Sequence, residues 1–263
     1  MPPVMSPATS YVRTVRGTGP GLLLAHGASG GVAANYGPLL DTLAADHTVV
    51  GVDYPGSGDT PRAGAPLVLD DLADQLVAAA DEQGLDRFAV LGYSLGSAVA
   101  VRVASRYPAR VAALVLTAPF ARPNTRLRLA AEQVRDLQAR GEMFLLARHT
   151  LPLALGADAL EALSPDEVQD VLRTSATTAP PGGGDQMDLV TRVDVRDDLS
   201  RITARTLVIS TTADLLVTPD LHRDVAAAIP GAELVEIPTG HLPFLEDPTA
   251  WEAAITRFLA KTS

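Results

Sequence analysis

The chain has 263 residues, 47% of them hydrophobic, and a formal net charge of −10 at pH 7. This apolar content excludes a disordered chain, and the length suits one domain with an insertion. The acidic balance argues against a nucleic-acid partner, because phosphate binding depends on clustered Lys and Arg. With no cysteine, the chain has no disulfide, no thiolate nucleophile and no Cys-based zinc site.

Neither the N-terminus nor the apolar runs carry a targeting or membrane signal. The opening MPPVMSPATS lacks a charged leader and an apolar stretch, and nowhere do eighteen apolar residues run together. We therefore expect a cytoplasmic protein without a membrane partner.

Short apolar runs alternate with longer helical patterns along most of the chain. Strands are predicted at GLLLAH (21–26), TVVGVD (48–53), FAVLGY (88–93), VAALVLTAP (111–119), RTLVIST (205–211) and AELVEIP (232–238), and helices at about 35–46, 67–83, 95–107, 219–228 and 249–260. Runs that are apolar on consecutive residues indicate strands buried on both faces. The pattern therefore predicts an α/β fold, a mostly parallel, doubly wound sheet with helices on either side.

The alternation fails once, between about residues 120 and 198. This stretch has helical patterns without a convincing strand, a capping box at Ser164 to Glu167, and a predicted flexible run, APPGGGDQ, at 179–186. We interpret residues 120–198 as an inserted helical cap, with 1–119 and 199–263 forming the core.

One tight turn has the pattern of a seat for a nucleophile. GYSLG places Ser94 between Gly92 and Gly96, after a predicted strand and before a predicted helix. Such a turn strains the central residue, and side chains two positions away would collide with neighbouring elements. The serine hydroxyl would project above the end of the strand, beside the N–H groups of a helix N-terminus.

A serine nucleophile needs a base, usually an imidazole that a carboxylate orients. Of the five histidines, His241 follows the last predicted strand, and Asp214 follows the strand before it. Both positions lie at strand ends, where sites gather in such sheets. Asp220 competes with Asp214 but suits the first turn of a helix, and Asp53 is interpreted as structural. His47, His149 and His222 lack metal-ligand spacing and are assigned to the surface or to cap packing.

The tetrahedral intermediate of acyl transfer also needs donors for its oxyanion. We expect one from the N–H of Leu95, directly after the serine, and another from the N–H of Ala28, where Gly27 lets the backbone turn; His26 would brace this loop. HGASGG after a strand could instead suggest a phosphate cradle, but it lacks the G-x-G-x-x-G spacing and a P-loop lysine.

The motifs together resemble the α/β-hydrolase family of the capped, single-domain kind. They are the HG loop at 26–27, DYPGSGDTP at 53–61, GYSLG at 92–96, the D-x-x-V-T-P segment at 214–219 and GHLPFLEDP at 240–248, in the family's order and over nearly the whole chain. The resemblance implies a serine-nucleophile acyl-transfer mechanism and a cap, between the sixth and seventh strands, that shapes the substrate pocket. Arg205 replaces a proline of many relatives, and the small Ala28 and Ser29 stand where many have a bulky aromatic.

We therefore expect hydrolysis of a carboxylic ester, thioester or lactone with Ser94, His241 and Asp214, and with no metal or organic cofactor. The apolar MFLLARHTLPLALG segment, read as cap lining rather than a membrane-surface helix, suggests a partly apolar small-molecule substrate. Carbon–carbon cleavage, peracid formation and lactone closure on the same triad stay open, as does a receptor-like or non-catalytic binding protein. The motifs fix neither the substrate nor the oligomeric state.

Overall fold

A computed structural model describes residues 11–261. The N-terminal run MPPVMSPATS, on which the expectation of no targeting signal was based, lies outside the described residues. The sheet has seven strands in the order β1-β3-β2-β4-β5-β6-β7, and β1 alone is antiparallel to its neighbour. The strands are β1 Arg13–Arg16, β2 Gly21–Ala25, β3 Thr48–Val52, β4 Phe88–Tyr93, β5 Val111–Thr117, β6 Arg205–Thr211 and β7 Glu233–Ile237. The six predicted strands are confirmed, and β1 was missed.

Helices cover both faces of this sheet, as the apolar runs predicted. They are α1 Val32–Tyr36, α2 Leu40–Asp46, α3 Leu69–Glu82, α4 Leu95–Arg106, α5 Thr125–Ala139, α6 Met143–Ala154, α7 Ala157–Glu161, α8 Pro165–Thr178, α9 Gly183–Arg192, α10 Arg196–Leu199, α11 Pro219–Ala228, α12 Pro243–Glu246 and α13 Pro248–Leu259, with a 3₁₀ turn at Gly37–Leu39. None of the helices described is long and apolar enough to span a bilayer.

The core lies in two layers because alternate strand residues point to opposite faces. On β2, Leu23 packs in one apolar cluster with α3 and α4, while Leu22 and Leu24 pack in the other, which includes Trp251 of α13. Each of these leucines is fully buried. The consecutive apolar residues of the central strands are therefore a consequence of burial on both faces.

Six helices, α5 to α10, separate β5 from β6, and the part of the chain described between these strands contains no strand. The segment therefore lies between the fifth and sixth of the seven strands described, not between the sixth and seventh as the resemblance implied. The predicted capping box is present, since Ser164 Oγ accepts from the Glu167 N–H and the Glu167 carboxylate accepts from the Ser164 N–H. That these helices act as a cap stays a prediction at this stage.

The prediction of flexibility at residues 179–186 is wrong in its second half. Gly183 to Gln186 form the first turn of α9, and Gln186 is fully buried. A Cβ on Gly182 would overlap the backbone of Pro55 and Gly56. The glycines here allow close packing of backbone on backbone rather than motion.

Candidate active site

The turn between β4 and α4 has the strained geometry that its sequence predicted. Ser94 has φ 52° and ψ −120°, a conformation that side chains rarely adopt. A Cβ on Gly92 would crowd the Gly96 carbonyl and Ser97, and one on Gly96 would overlap the carbonyl oxygen of Ala25. Only glycine therefore fits at both flanking positions.

Ser94, His241 and Asp214 form one hydrogen-bonded chain, although 120 and 27 residues separate them in sequence order (94 to 214, and 214 to 241). His241 Nε2 lies 3.0 Å from Ser94 Oγ, and His241 Nδ1 lies 2.6 Å from Asp214 Oδ2. An ionised carboxylate only accepts, so Nδ1 carries the proton and Nε2 accepts from the serine hydroxyl. All three side chains are nearly buried, with Ser94 the most exposed at 8%.

The Asp214 carboxylate is held by the turn that follows β6. Its Oδ1 accepts from the N–H groups of Leu216 and Val217, both at 2.9 Å, and its Oδ2 accepts from the Thr211 hydroxyl at 3.0 Å. These bonds fix the carboxylate with Oδ2 turned to His241. Asp220, the competing aspartate, lies in the first turn of α11, as predicted.

The loop that bears His241 is held on its backbone. The Tyr93 hydroxyl donates to the His241 carbonyl at 2.8 Å, and the His241 N–H donates to the Ala154 carbonyl, at the end of α6, at 2.6 Å. Burial raises the pKa of Tyr93 well above its usual value, so the hydroxyl stays a donor. The imidazole therefore keeps its place through contacts with both β4 and α6.

The HG loop, which together with the two residues after it spans 26–29, packs against the turn that carries Ser94. A Cβ on Gly27 would overlap the Tyr93 ring and lie 3.3 Å from Ser94 Cβ. His26 Nδ1 donates to the Gly27 carbonyl at 2.8 Å, while its Nε2 accepts from the Tyr54 N–H at 2.9 Å. Burial lowers the pKa of His26 to about 4, so it is neutral at pH 7 and keeps this tautomer.

The three backbone N–H groups of Gly27, Ala28 and Ser29 differ in their hydrogen-bond partners. The Gly27 N–H donates to Asn35 Oδ1 at 2.9 Å and the Ser29 N–H to Gln186 Oε1 at 2.8 Å. Within residues 11–261 we find no hydrogen bond from the Ala28 N–H between them. The Ala28 N–H shares a peptide plane with the Gly27 carbonyl, so the bond from His26 fixes its direction. Leu95 begins α4, where the N–H has no partner within the helix.

Several groups around the site were not predicted from the sequence. His222 was assigned to the surface or the cap, and this is wrong: it lies on α11, outside residues 120–198, and is fully buried. Its Nδ1 is 3.2 Å from Ser210 Oγ and its Nε2 is 3.9 Å from Asp214 Oδ2. Thr211 and Gln186 carried no motif signal either.

A metal centre finds no support in the part of the chain described. There, no three His, Cys, Asp or Glu side chains are grouped so as to hold a metal ion.

Asp53, interpreted as structural, accepts from the Val32 N–H at 2.7 Å at the start of α1.

Fold and site together define a class of protein, and comparison with known families agrees with it. Residues 20–248 match the family model described as alpha/beta hydrolase fold. That range is most of the chain, which therefore belongs to the α/β-hydrolase fold family. The predicted fold class and the predicted resemblance are both confirmed.

Individual relatives are hydrolases. The pyrrolizixenacetamide deacetylase of Xenorhabdus hominickii is 34% identical over 247 residues, which are 93% of this chain and 92% of that protein. A thermophilic esterase from Thermogutta terrifontis superposes with a TM-score of 0.83 at 25% identity, over 96% of this chain and 93% of that one. The enol-lactonase of Burkholderia xenovorans LB400 has a TM-score of 0.84 at 23% identity, over 95% and 96% of the two chains. The predicted enzyme class, a hydrolase that acts on ester-type bonds, is confirmed.

Proposed function

We propose that this protein hydrolyses a carboxylic ester, thioester or lactone of a small, partly apolar molecule through an acyl-enzyme on Ser94. The observation that carries the proposal is the pair of hydrogen bonds on His241, 3.0 Å to Ser94 Oγ and 2.6 Å to Asp214 Oδ2. A serine at a strained turn, within reach of a base that a buried carboxylate orients, is the arrangement that activates a hydroxyl for attack.

Ser94 Oγ attacks the carbonyl carbon while His241 Nε2 takes the hydroxyl proton. The resulting imidazolium is stabilised by Asp214, which stays ionised and holds Nδ1–H. His241 then gives its proton to the leaving oxygen or sulfur as the bond from that atom to carbon breaks. Water attacks the acyl-enzyme in the same way: its proton passes to His241 and then to Ser94 Oγ as the carboxylic acid leaves.

The N–H groups of Ala28 and Leu95 are proposed to hold the oxyanion of the tetrahedral intermediate. The loss of one such donor typically costs about 2.7–4 kcal/mol of transition-state stabilisation. His26 supports the Ala28 donor, because it fixes the peptide plane that Gly27 and Ala28 share. These steps use no metal and no organic cofactor.

Residues 120–198 are proposed to act as the cap over this site. Two hydrogen bonds support this role, since Ala154 accepts from the His241 N–H and Gln186 accepts from the Ser29 N–H. Both loops that surround Ser94 are thus bonded to this segment. Its apolar residues would line the space for the acyl or ring portion of the substrate.

Removal of an acetyl group from an acetamide is a second candidate activity. The relative at 34% identity over 93% of this chain is named as the deacetylase of an acetamide. The same residues serve this reaction, with His241 protonating the leaving nitrogen. An amide differs from an ester mainly in its greater dependence on that proton.

The test is labelling with a fluorophosphonate, read by intact mass spectrometry, together with turnover of p-nitrophenyl esters of rising chain length and of p-nitroacetanilide. The variant is Ser94→Ala, and the matched control is Ser97→Ala. The control removes a buried hydroxyl in the first turn of α4, directly after the turn that carries Ser94, which donates to the Gly92 and Thr117 carbonyls. We expect labelling and turnover in the wild type and Ser97→Ala, and neither in Ser94→Ala. A wild type without labelling and turnover would contradict the proposal and favour a binding protein. Relative rates on the acetate ester and on the anilide distinguish the two candidate activities.

A further inference from the structure

Gln186 connects the HG loop to a helix that is remote from it in sequence. It lies in the first turn of α9 and its side chain is fully buried. Its Oε1 accepts from the Ser29 N–H at 2.8 Å, and its Nε2 donates to Ser57 Oγ at 2.8 Å and to the Pro55 carbonyl at 3.2 Å. Both ends of the amide are therefore satisfied, which fixes its orientation.

The bond to Ser29 is placed where it affects the proposed oxyanion donor. Ser29 has φ 57°, a conformation that costs a non-glycine residue energy and persists only where its surroundings hold it. The Ser29 N–H follows the Ala28 N–H by one residue. Without this acceptor, the half-buried Ser29 N–H would favour another conformation of the loop, in which the strain is relieved or the N–H finds a different partner.

We infer that Gln186 is a positioning residue that holds the Ser29 N–H, so that the Ala28 N–H stays directed at the oxyanion on the Ser94 side of the loop. This inference rests on the proposed function. Three groups then hold the loop: His26 on the Gly27 carbonyl, Asn35 on the Gly27 N–H and Gln186 on the Ser29 N–H. The first two come from the core, and Gln186 comes from the proposed cap.

The neighbouring contacts of α9 show why its first turn stays in place. The Gly182 N–H donates to the Gly56 carbonyl at 3.0 Å, and Asp185 pairs with Arg62 through two bonds of 2.9 and 3.0 Å. These contacts anchor the helix without touching the HG loop. Loss of the Gln186 amide would therefore remove the acceptor of the Ser29 N–H while α9 remains docked.

The experiment compares three variants in steady-state ester turnover and in the rate of fluorophosphonate labelling of Ser94. Gln186→Met keeps the length of the side chain but removes the acceptor, Gln186→Glu keeps an acceptor oxygen, and Ser57→Ala removes a partner from the other end of the amide. We expect Gln186→Met to lower kcat and the labelling rate by about tenfold to a hundredfold with KM within about threefold, because the oxyanion donor acts in the transition state. Gln186→Glu and Ser57→Ala should retain kcat within about fivefold, because the Ser29 N–H keeps its acceptor. In Gln186→Glu, burial favours the protonated carboxyl, whose O–H replaces the Nε2 donor to Ser57 and Pro55.

A purely structural role of Gln186 would lower kcat only through destabilisation of the folded protein. Thermal unfolding of all three variants, read by circular dichroism, identifies losses that come from destabilisation. Gln186→Met with a kcat within about twofold of the wild type would overturn the inference, as would equal losses in Gln186→Met and Gln186→Glu. A wild type that neither labels nor turns over esters overturns the proposed function and this inference together, so the two failures are distinguishable.

Discussion

His222 contributes to the pH dependence of this protein's stability, and His222→Gln should remove that contribution. Burial outweighs the opposing effect of Asp214 and lowers the pKa of His222 to about 4, against 6.5 for an ordinary histidine. The folded chain therefore keeps His222 neutral where the unfolded chain takes up a proton. Between these two pKa values the unfolded state binds more protons, so stability falls as pH falls.

The magnitude follows from the two pKa values. Between pH 7 and pH 5, one histidine with this shift lowers the free energy of unfolding by about 2 kcal/mol. Deletion of the bond to Ser210 should cost the variant about 1 kcal/mol at pH 7. We therefore expect the wild type to be more stable than the variant by about 1 kcal/mol at pH 7, and the variant to be more stable than the wild type by about 1 kcal/mol at pH 5. His26, whose pKa is lowered in the same way, contributes the same dependence to both proteins.

Urea unfolding, followed by the fluorescence of Trp251, measures the free energy of unfolding of both proteins at each pH. Trp251 is the only tryptophan and is fully buried. Ser210→Ala is the matched control: it removes the same hydrogen bond but keeps the histidine, so its pH dependence should equal that of the wild type. A difference between wild type and His222→Gln that stays constant within about 0.5 kcal/mol from pH 7 to pH 5 would refute the reasoning.

Three further predictions concern the turns and the helical segment. Asp214→Asn should lower kcat by about 10⁴ through loss of the His241 tautomer, while Asp220→Asn should leave ester turnover unchanged. Gly96→Ala should cost about 3 kcal/mol or more in urea unfolding, because its Cβ would overlap backbone at Ala25; Gly37→Ala, with open space around it, should cost far less. Ester turnover should be lost at a lower urea concentration than the Trp251 signal, since α8 buries only Leu172 and α7 buries no residue. Coincident transitions would contradict this last expectation.

The sequence predicted six of the seven strands because their signal is local. Consecutive apolar residues on β2 and β4 follow from burial on both faces, which needs no knowledge of the neighbouring strand. β1 carries the sequence RTVR, four residues with two arginines, and half of it is exposed. Its pairing with β3 lies at the sheet edge, where a strand needs no apolar run.

Ser94, Asp214 and His241 were predictable for a similar reason. Each stands at the carboxyl end of its own strand, and the ends of parallel strands meet at one edge of the sheet. Their distances were not predictable, because they depend on contacts such as the bond from Tyr93 to the His241 carbonyl. His222 shows the limit: its helical pattern places it on α11, but only the packing of α11 on β6 reveals that it faces Asp214.

The segment 179–186 explains why Gln186 escaped prediction. Three glycines and two prolines there are typical of a flexible linker, yet the glycines serve the close approach of Gly182 to Gly56. The same composition can therefore occur in a flexible linker or in a close contact between two backbones. Here the contacting backbone is that of Gly56, over a hundred residues earlier in the chain. That contact holds the first turn of α9 in place, so that Gln186 lies within hydrogen-bond distance of the Ser29 N–H. The geometry of the proposed oxyanion loop therefore depends on a long-range contact between glycines that local sequence patterns do not encode.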